Sequence, residues 1–206
     1  MKTLLINGSP HKNGNTAQAL AEAAKTLETE GIQTEIFWLE TKPVRGCIAC
    51  DACAAQKLGR CAFDDDICNR LVDRLAAADA FIVGSPTYYG QPNGALLAVL
   101  QRAFFSAREH VVGKPAACVA VCRRGGSTAA FQCMNMPFEM LNSIIIGSQY
   151  WNIAFGRAQG EVTQDSEGMQ TMRTLARNLA WVLKNIEKGA IERPAIEPWA
   201  PMHFIR

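Results

Sequence analysis

The chain has 206 residues, of which 49% are hydrophobic and 19% charged, a balance that excludes a disordered polymer and suits one globular domain with a full-sized core. Lysine and arginine number 21 and aspartate and glutamate 19, for a net charge of +2, so no global field draws nucleic acid or a membrane surface and any charge recognition is local. The apolar run Leu4-Leu5-Ile6 is too short for a secretory signal, and no stretch reaches the roughly 18 residues of a membrane span; a cytoplasmic protein is expected, its eight cysteines thiols rather than disulfides.

Residues 2–6 read as a buried strand, followed by the polar loop Gly8-Ser9-Pro10-His11-Lys12-Asn13-Gly14 and a helix over 16–30 with Ala17, Leu20, Ala21, Ala24 and Leu27 at helical spacing. Gly31 suits the stop of that helix. A second strand is expected over 34–39, then a long irregular segment over 43–63, and compact domains seldom keep such a loop without a use. Asp64-Asp65-Asp66 supplies N-cap candidates for a helix running to Ala78 on Ile67, Leu71, Val72 and Leu75. A third strand over 80–84 leads into the loop Ser85-Pro86-Thr87-Tyr88-Tyr89-Gly90-Gln91-Pro92-Asn93-Gly94 and a helix over 95–107. The fourth strand, 115–121, precedes Arg123-Arg124-Gly125-Gly126-Ser127 and a Met-rich helix over 128–141. A fifth strand over 143–147 and a helix over 166–188, stopped by Gly189, complete the pattern, and a Pro-rich tail follows.

This alternation predicts an α/β fold, an open and mostly parallel sheet with helices on both faces. Ligands of such sheets bind beyond the carboxyl ends of the strands, where the loops after strands one, three and four meet. The first loop runs from a strand into a helix start, so free backbone N–H groups and a positive helix end coincide there, with Ser9, Asn15 and Thr16 as side-chain donors. Gly14 is followed by Asn15-Thr16 rather than Lys-Ser or Lys-Thr, and no G-x-G-x-x-G is present, so a single terminal phosphate fits better than a triphosphate or pyrophosphate. The second loop joins an aromatic pair, Tyr88 and Tyr89, to a rigid turn, a combination suited to a flat heteroaromatic ring.

The first loop together with the stretch VGSPTYYGQPNGALLAVLQR resembles the NADPH-dependent FMN reductase family over roughly residues 1–188. That resemblance implies a flavodoxin-like, doubly wound sheet of five parallel strands in the order 2-1-3-4-5. It implies FMN with its phosphate on Ser9, His11, Asn15 and Thr16, and its ring along Pro86, Thr87, Tyr88 and Gly90. Arg123, Arg124, Gly125 and Gly126 would border the ring, with Arg123 or Arg124 near the pyrimidine edge. His11 can equally face solvent, and His110 and His203 have no partner motif.

Cys47, Cys50, Cys53 and Cys61 have spacing that can converge on one metal or cluster. Zinc more often pairs two C-x2-C knuckles or uses histidine, and the tight triple repeat better suits a cuboidal iron-sulfur centre. Free or redox-active thiols remain the other reading. The spacing is similar to that of the iron-sulfur flavoproteins, a branch of the same family in which a [4Fe-4S] cluster feeds electrons to FMN. The remaining cysteines, 68, 118, 122 and 133, read as core packing or incidental thiols.

The domain expected is 1–189, with the cysteine-rich insertion at 43–63, and 190–206 as a tail. The expected activity is an FMN-dependent oxidoreductase moving electrons between NAD(P)H or an iron-sulfur centre and a flavin, quinone, other small acceptor or redox protein. A flavodoxin-like carrier without its own substrate and a non-redox phosphate-binding regulator are the alternatives. Carriers of that kind tend to be strongly acidic, and this chain is not. The resemblance implies a homodimer or homotetramer, with Tyr88, Tyr89, Trp151 and the tail around Trp199 as candidate apolar contacts.

Overall fold

A computed structural model describes residues 1–189, 191–195, 197–198, 200 and 202; Trp199 and His203 lie outside the described residues. The chain runs β1 (Lys2–Asn7), α1 (Asn15–Thr29), β2 (Gln33–Trp38), α2 (Ala52–Ala55), α3 (Cys68–Ala76), β3 (Ala80–Tyr88), β4 (Gln91–Pro92), α4 (Gly94–Ser106), β5 (Pro115–Cys122), α5 (Ser127–Met140), β6 (Ile144–Ile145), β7 (Ile153–Phe155) and α6 (Ser166–Lys188). The sheet order is β2-β1-β3-β5-β6 with parallel pairing throughout, which is the order expected for the five strands read from the sequence.

The central strands are apolar on both faces because helices cover both. Along β1, Leu4 and Ile6 enter the core shared with α3, α4 and α5, whereas Leu5 enters the core shared with α1 and α6. The same alternation divides Phe81 and Val83 from Ile82 on β3, and Cys118 from Val119 on β5. Cys68 and Cys118 are fully buried, and burial pushes the Cys68 thiol up to about 12, as expected of packing thiols.

Three sequence expectations need correction. The third strand does not end at Gly84 but continues to Tyr88, turns at Tyr89-Gly90 and returns as β4, with Thr87 opposite Pro92 and Tyr88 opposite Gln91. Both turn residues have positive φ, 51° and 77°, the condition for a two-residue hairpin matched to strand twist. The fifth strand is split: Ile144–Ile145 pairs with the start of β5 and Ile153–Phe155 with its end. The Asp64-Asp65-Asp66 run does not start the helix, which begins at Cys68. Its carboxylates instead hold neighbouring chain, Asp64 accepting from the Asn69 amide at 2.9 Å and Asp65 from Arg45. Of the three, Asp66 accepts from a backbone N–H of the helix, that of Cys68, at 2.9 Å.

Asn93 ties the first loop, the hairpin and α4 together. Its side chain accepts from Ala95 N–H at 2.8 Å and donates to Gly8 O at 2.9 Å, and its N–H donates to Ser85 Oγ at 2.9 Å. Among the described residues no helix is long and apolar enough to cross a membrane. Asn93→Ala removes both the cap and the partner of the Gly8 carbonyl, so the expected loss is about 1–2 kcal/mol, measured as a lower urea midpoint with unchanged m-value.

Candidate functional site

A cavity of about 420 Å3 opens beyond the carboxyl ends of β1, β3 and β5. Its first wall is the loop into α1. The first helical bond there runs from Gln18 N–H to Gly14 O at 3.1 Å, so the N–H groups of Asn15, Thr16 and Ala17 have no acceptor inside the helix. The loop is held in shape from behind: Asn7 Oδ1 accepts from Ser9 N–H at 3.0 Å, Ser9 Oγ accepts from His11 N–H at 3.1 Å, and Trp38 Nε1 donates to Ser9 O at 2.8 Å. Ser9 and Thr16 are buried in this wall while His11 is exposed at its rim. Positive helix end, free N–H groups and hydroxyls are the features from which anion sites are built.

The second wall is the β3–β4 hairpin, contributing Pro86, Thr87 and Tyr88. Thr87 Oγ1 is buried and has no hydrogen-bond partner among the described residues, although such atoms are rare in folded chains. Burial raises the Tyr88 hydroxyl above its ordinary range, which keeps it neutral at physiological pH. A Cβ on Gly126, where φ is +84°, would lie 2.9 Å from Gly90 Cα. The contact between hairpin and the loop after β5 therefore requires glycine at 126.

Of the residues expected to surround a ligand, Ser9, His11, Asn15, Thr16, Pro86, Thr87, Tyr88 and Arg123 line this cavity. Arg124, Gly125 and Gly126 instead line an adjoining cavity of about 270 Å3, with Tyr150, Trp151 and Phe155. Gly90 lies between the two through its approach to Gly126. The Asn15 amide is engaged elsewhere: it donates to Ala158 O at 2.9 Å and accepts from Gly160 N–H at 3.0 Å and Val162 N–H at 3.3 Å. What it clasps is a third wall, Gly156, Arg157 and Gln159, which was not foreseen from the sequence. The stretch follows β7, the detached half of the fifth strand, and the only local signal was Gly156-Arg157 after an apolar triplet. Cys122, expected as core, is also at the cavity wall.

All four clustered cysteines line a third, smaller cavity of about 20 Å3, walled by Arg102, Phe105 and Ser106 of α4. Cys47 and Cys50 are exposed and Cys53 and Cys61 half-buried. Among the described residues no three His, Cys, Asp or Glu side chains form a group able to hold one metal ion. A single tetrahedral ion needs four donors around one point, whereas a cuboidal cluster gives each thiolate its own iron. The donor set, four thiols lining one cavity, is chemically that of an iron-sulfur cluster. Ala49, Asp51 and Lys57 hold positive φ of 51°, 51° and 50°, and strain of this kind gathers where a loop is shaped around a ligand.

Asp66 and Arg102 form an ion pair whose side chains are 5% and 1% exposed. Burial works to raise the Asp66 carboxyl, but hydrogen bonds from Cys68 N–H, Arg102 and Arg45 N–H outweigh it and hold the group below its ordinary value.

The sequence profile of the NADPH-dependent FMN reductase family matches residues 1–158. The chain belongs to the NADPH-dependent FMN reductase family. Among its relatives, an iron-sulfur flavoprotein of Methanocaldococcus jannaschii is 32% identical over 198 residues, covering 91% of this chain and 100% of the relative. An iron-sulfur flavoprotein of Methanosarcina thermophila is 29% identical over 195 residues, covering 92% and 98%. In fold, an archaeal flavodoxin matches with a TM-score of 0.61 at 14% identity, over 89% of this chain and 99% of that one.

Two outcomes are expected for this member of the FMN reductase family. Asn15→Ala removes bonds worth about 1 kcal/mol each from the third wall, and amide exchange at Gly160 and Val162 should rise roughly tenfold or more. Asp66→Asn leaves the Arg102 charge buried without its partner, at an expected cost of about 3–5 kcal/mol at pH 7. Because the folded Asp66 group titrates below its unfolded value, wild type keeps this stability above the unfolded pKa and loses it as pH falls through the folded pKa. Urea midpoints of wild type and variant should therefore converge on acidification.

Proposed function

We propose that the chain is an FMN-dependent oxidoreductase of the iron-sulfur flavoprotein kind. FMN would lie in the cavity beyond β1, β3 and β5, and a [4Fe-4S] cluster on Cys47, Cys50, Cys53 and Cys61. The observation that carries this reading is the meeting, at one cavity, of a helix start rich in free N–H groups with a rigid hairpin whose buried Thr87 hydroxyl has no hydrogen-bond partner among the described residues. The relatives described as iron-sulfur flavoproteins support the second cofactor. When bound, FMN supplies two-electron chemistry at its ring and the cluster supplies one-electron transfer.

The chain's own residues then bind and orient. Ser9, Thr16 and the N–H groups of 15–17 hold the phosphate, with His11 at the rim, and Asn15 keeps the third wall closed over it. Pro86, Thr87 and Tyr88 offer a flat, rigid edge to the ring, which Gly90 and Gly126 allow to approach the loop after β5. Arg123, which lines the cavity, offsets the negative charge of the reduced ring. The adjoining aromatic cavity beside Arg124, Gly125 and Gly126 admits NAD(P)H, a flavin or a quinone as donor or acceptor, and a redox protein can meet the exposed Tyr89 of the hairpin. Tyr88, Tyr89 and Trp151 also offer apolar surface to a second copy in a homodimer or homotetramer. The domain is 1–189, with the cysteine segment as its insertion.

Purified protein should show flavin absorption and bind FMN one to one. Ser9→Ala combined with Thr16→Ala should weaken FMN binding by tenfold or more, measured by flavin fluorescence; unchanged affinity would overturn the phosphate assignment. Bleaching of the bound flavin by added NADH or NADPH marks a reductase, and its absence marks a carrier fed through the cluster. Arg123→Ala should lower the flavin midpoint potential and Arg124→Ala leave it near wild type, by spectroelectrochemical titration.

A further inference from the structure

Helix α4 brings two hydrogen-bond donors to the cavity lined by the clustered cysteines. Arg102 is 2% exposed, and its guanidinium is divided among acceptors of the cysteine segment. Nε donates to Cys61 Sγ at 3.3 Å, the NH1 nitrogen to the Asp66 carboxylate and to Arg45 O at 3.3 Å, and the NH2 nitrogen to Phe63 O at 3.1 Å. One helical turn later Ser106 lines the same cavity. It is 8% exposed, and its hydroxyl has no hydrogen-bond partner among the described residues. Positions four apart share one face of a helix, so both donors belong to a single wall.

Anchoring of the loop accounts for the bonds to Asp66 and the two carbonyls. It does not account for an N–H aimed at a sulfur, nor for a buried hydroxyl with nothing to donate to, which is costly unless a partner arrives. Sulfur atoms of an iron-sulfur centre are acceptors of the missing kind.

We propose that Arg102 and Ser106 set the reduction potential of the cluster, Arg102 through its N–H bond to the Cys61 sulfur and its fixed charge, and Ser106 through its hydroxyl. This rests on the reading of Cys47, Cys50, Cys53 and Cys61 as cluster ligands. Reduction adds one electron to the cluster, and the added negative charge spreads onto its sulfurs. Donors and a buried positive charge therefore stabilise the reduced form more than the oxidised one and raise the potential. Burial strengthens the effect, because little water competes. Lysine in place of Arg102 keeps the charge but cannot reproduce a planar fork that reaches Cys61, Asp66 and two carbonyls at once.

The test uses the full chain, reconstituted anaerobically with iron, sulfide and FMN, as wild type, Ser106→Ala and Arg102→Lys. Iron and sulfide are counted first, and the cluster is then titrated with its reduced form followed by electron paramagnetic resonance. The expected result is full cluster content in Ser106→Ala with a severalfold shift of the redox equilibrium toward the oxidised form. Arg102→Lys should shift it further, by about tenfold, or about 59 mV for one electron. Ser106→Ala decides the matter if Arg102→Lys does not assemble a cluster, since it removes one hydroxyl and leaves the ion pair intact. A fully loaded Ser106→Ala with wild-type potential overturns the shared role of the α4 wall while leaving the cluster standing. Wild-type protein that takes up no iron and sulfide overturns the cluster reading itself.

Discussion

After β1 the chain crosses to one side to form β2 and then returns past β1 to form β3 on the other. Crossovers of this kind are right-handed, so reversing the direction of travel sends α1 and α3 to opposite faces of the sheet. The loops leaving β1 and β3 must part at that point, and the crevice between them is a consequence of topology before any side chain is chosen. Every functional feature on this side depends on it. The helix start at Asn15 is aimed into the crevice, the hairpin at Tyr89-Gly90 leans over it, and the loop after β5 closes its far end.

The cysteine-lined cavity depends on the same scaffold through α4. Asn93 fixes the start of that helix to Gly8 and Ser85, and eight residues on, roughly 12 Å along the axis, Arg102 meets the cysteine segment. One rigid element thus contacts the loop after β1 at one end and the thiol pocket toward the other. The segment itself contributes little apolar anchoring: Val44 and Cys61 pack against the core from its edges. Its conformation leans on polar bonds to Arg102 and on Asn69, which bonds to Cys61 through both its N–H and its carbonyl at 2.9 Å. A loop organised by charge and hydrogen bonds can position exposed thiols such as Cys47 and Cys50 where a hydrophobic loop would bury them.

Legibility from the sequence followed the range of the interactions involved. The strands β1, β3 and β5 were readable because burial on both faces demands unbroken apolar runs, and α1 and α6 because their apolar residues recur at helical spacing with glycine just beyond. In the sequence the hairpin reads as an open loop, since Pro86 and Pro92 look like breakers, yet both sit where a strand edge tolerates them. The split of the fifth strand is not legible because both halves are placed by pairing with β5, and the wall at Gly156, Arg157 and Gln159 is not because the chain beside it is held by Asn15, more than 140 residues earlier. No local pattern encodes such a contact. Asp64-Asp65-Asp66 looked like a cap for the same reason: the partners that claim these carboxylates, Asn69 nearby but also Arg45 and Arg102, are mostly distant in the chain.

By itself the sequence determined the α/β alternation, the glycine-rich polar loop between β1 and α1, the aromatic loop and the four clustered thiols, because each is a short-range pattern of residue types. Tertiary structure decided the rest. It separated Arg123 from Arg124 into different cavities, directed the Asn15 amide to a remote loop that walls the first cavity, and brought Arg102 and Ser106 of α4 to the cavity lined by the cysteines. Those outcomes follow from which strands lie side by side and which helix faces meet them, and packing settles that over the whole chain at once.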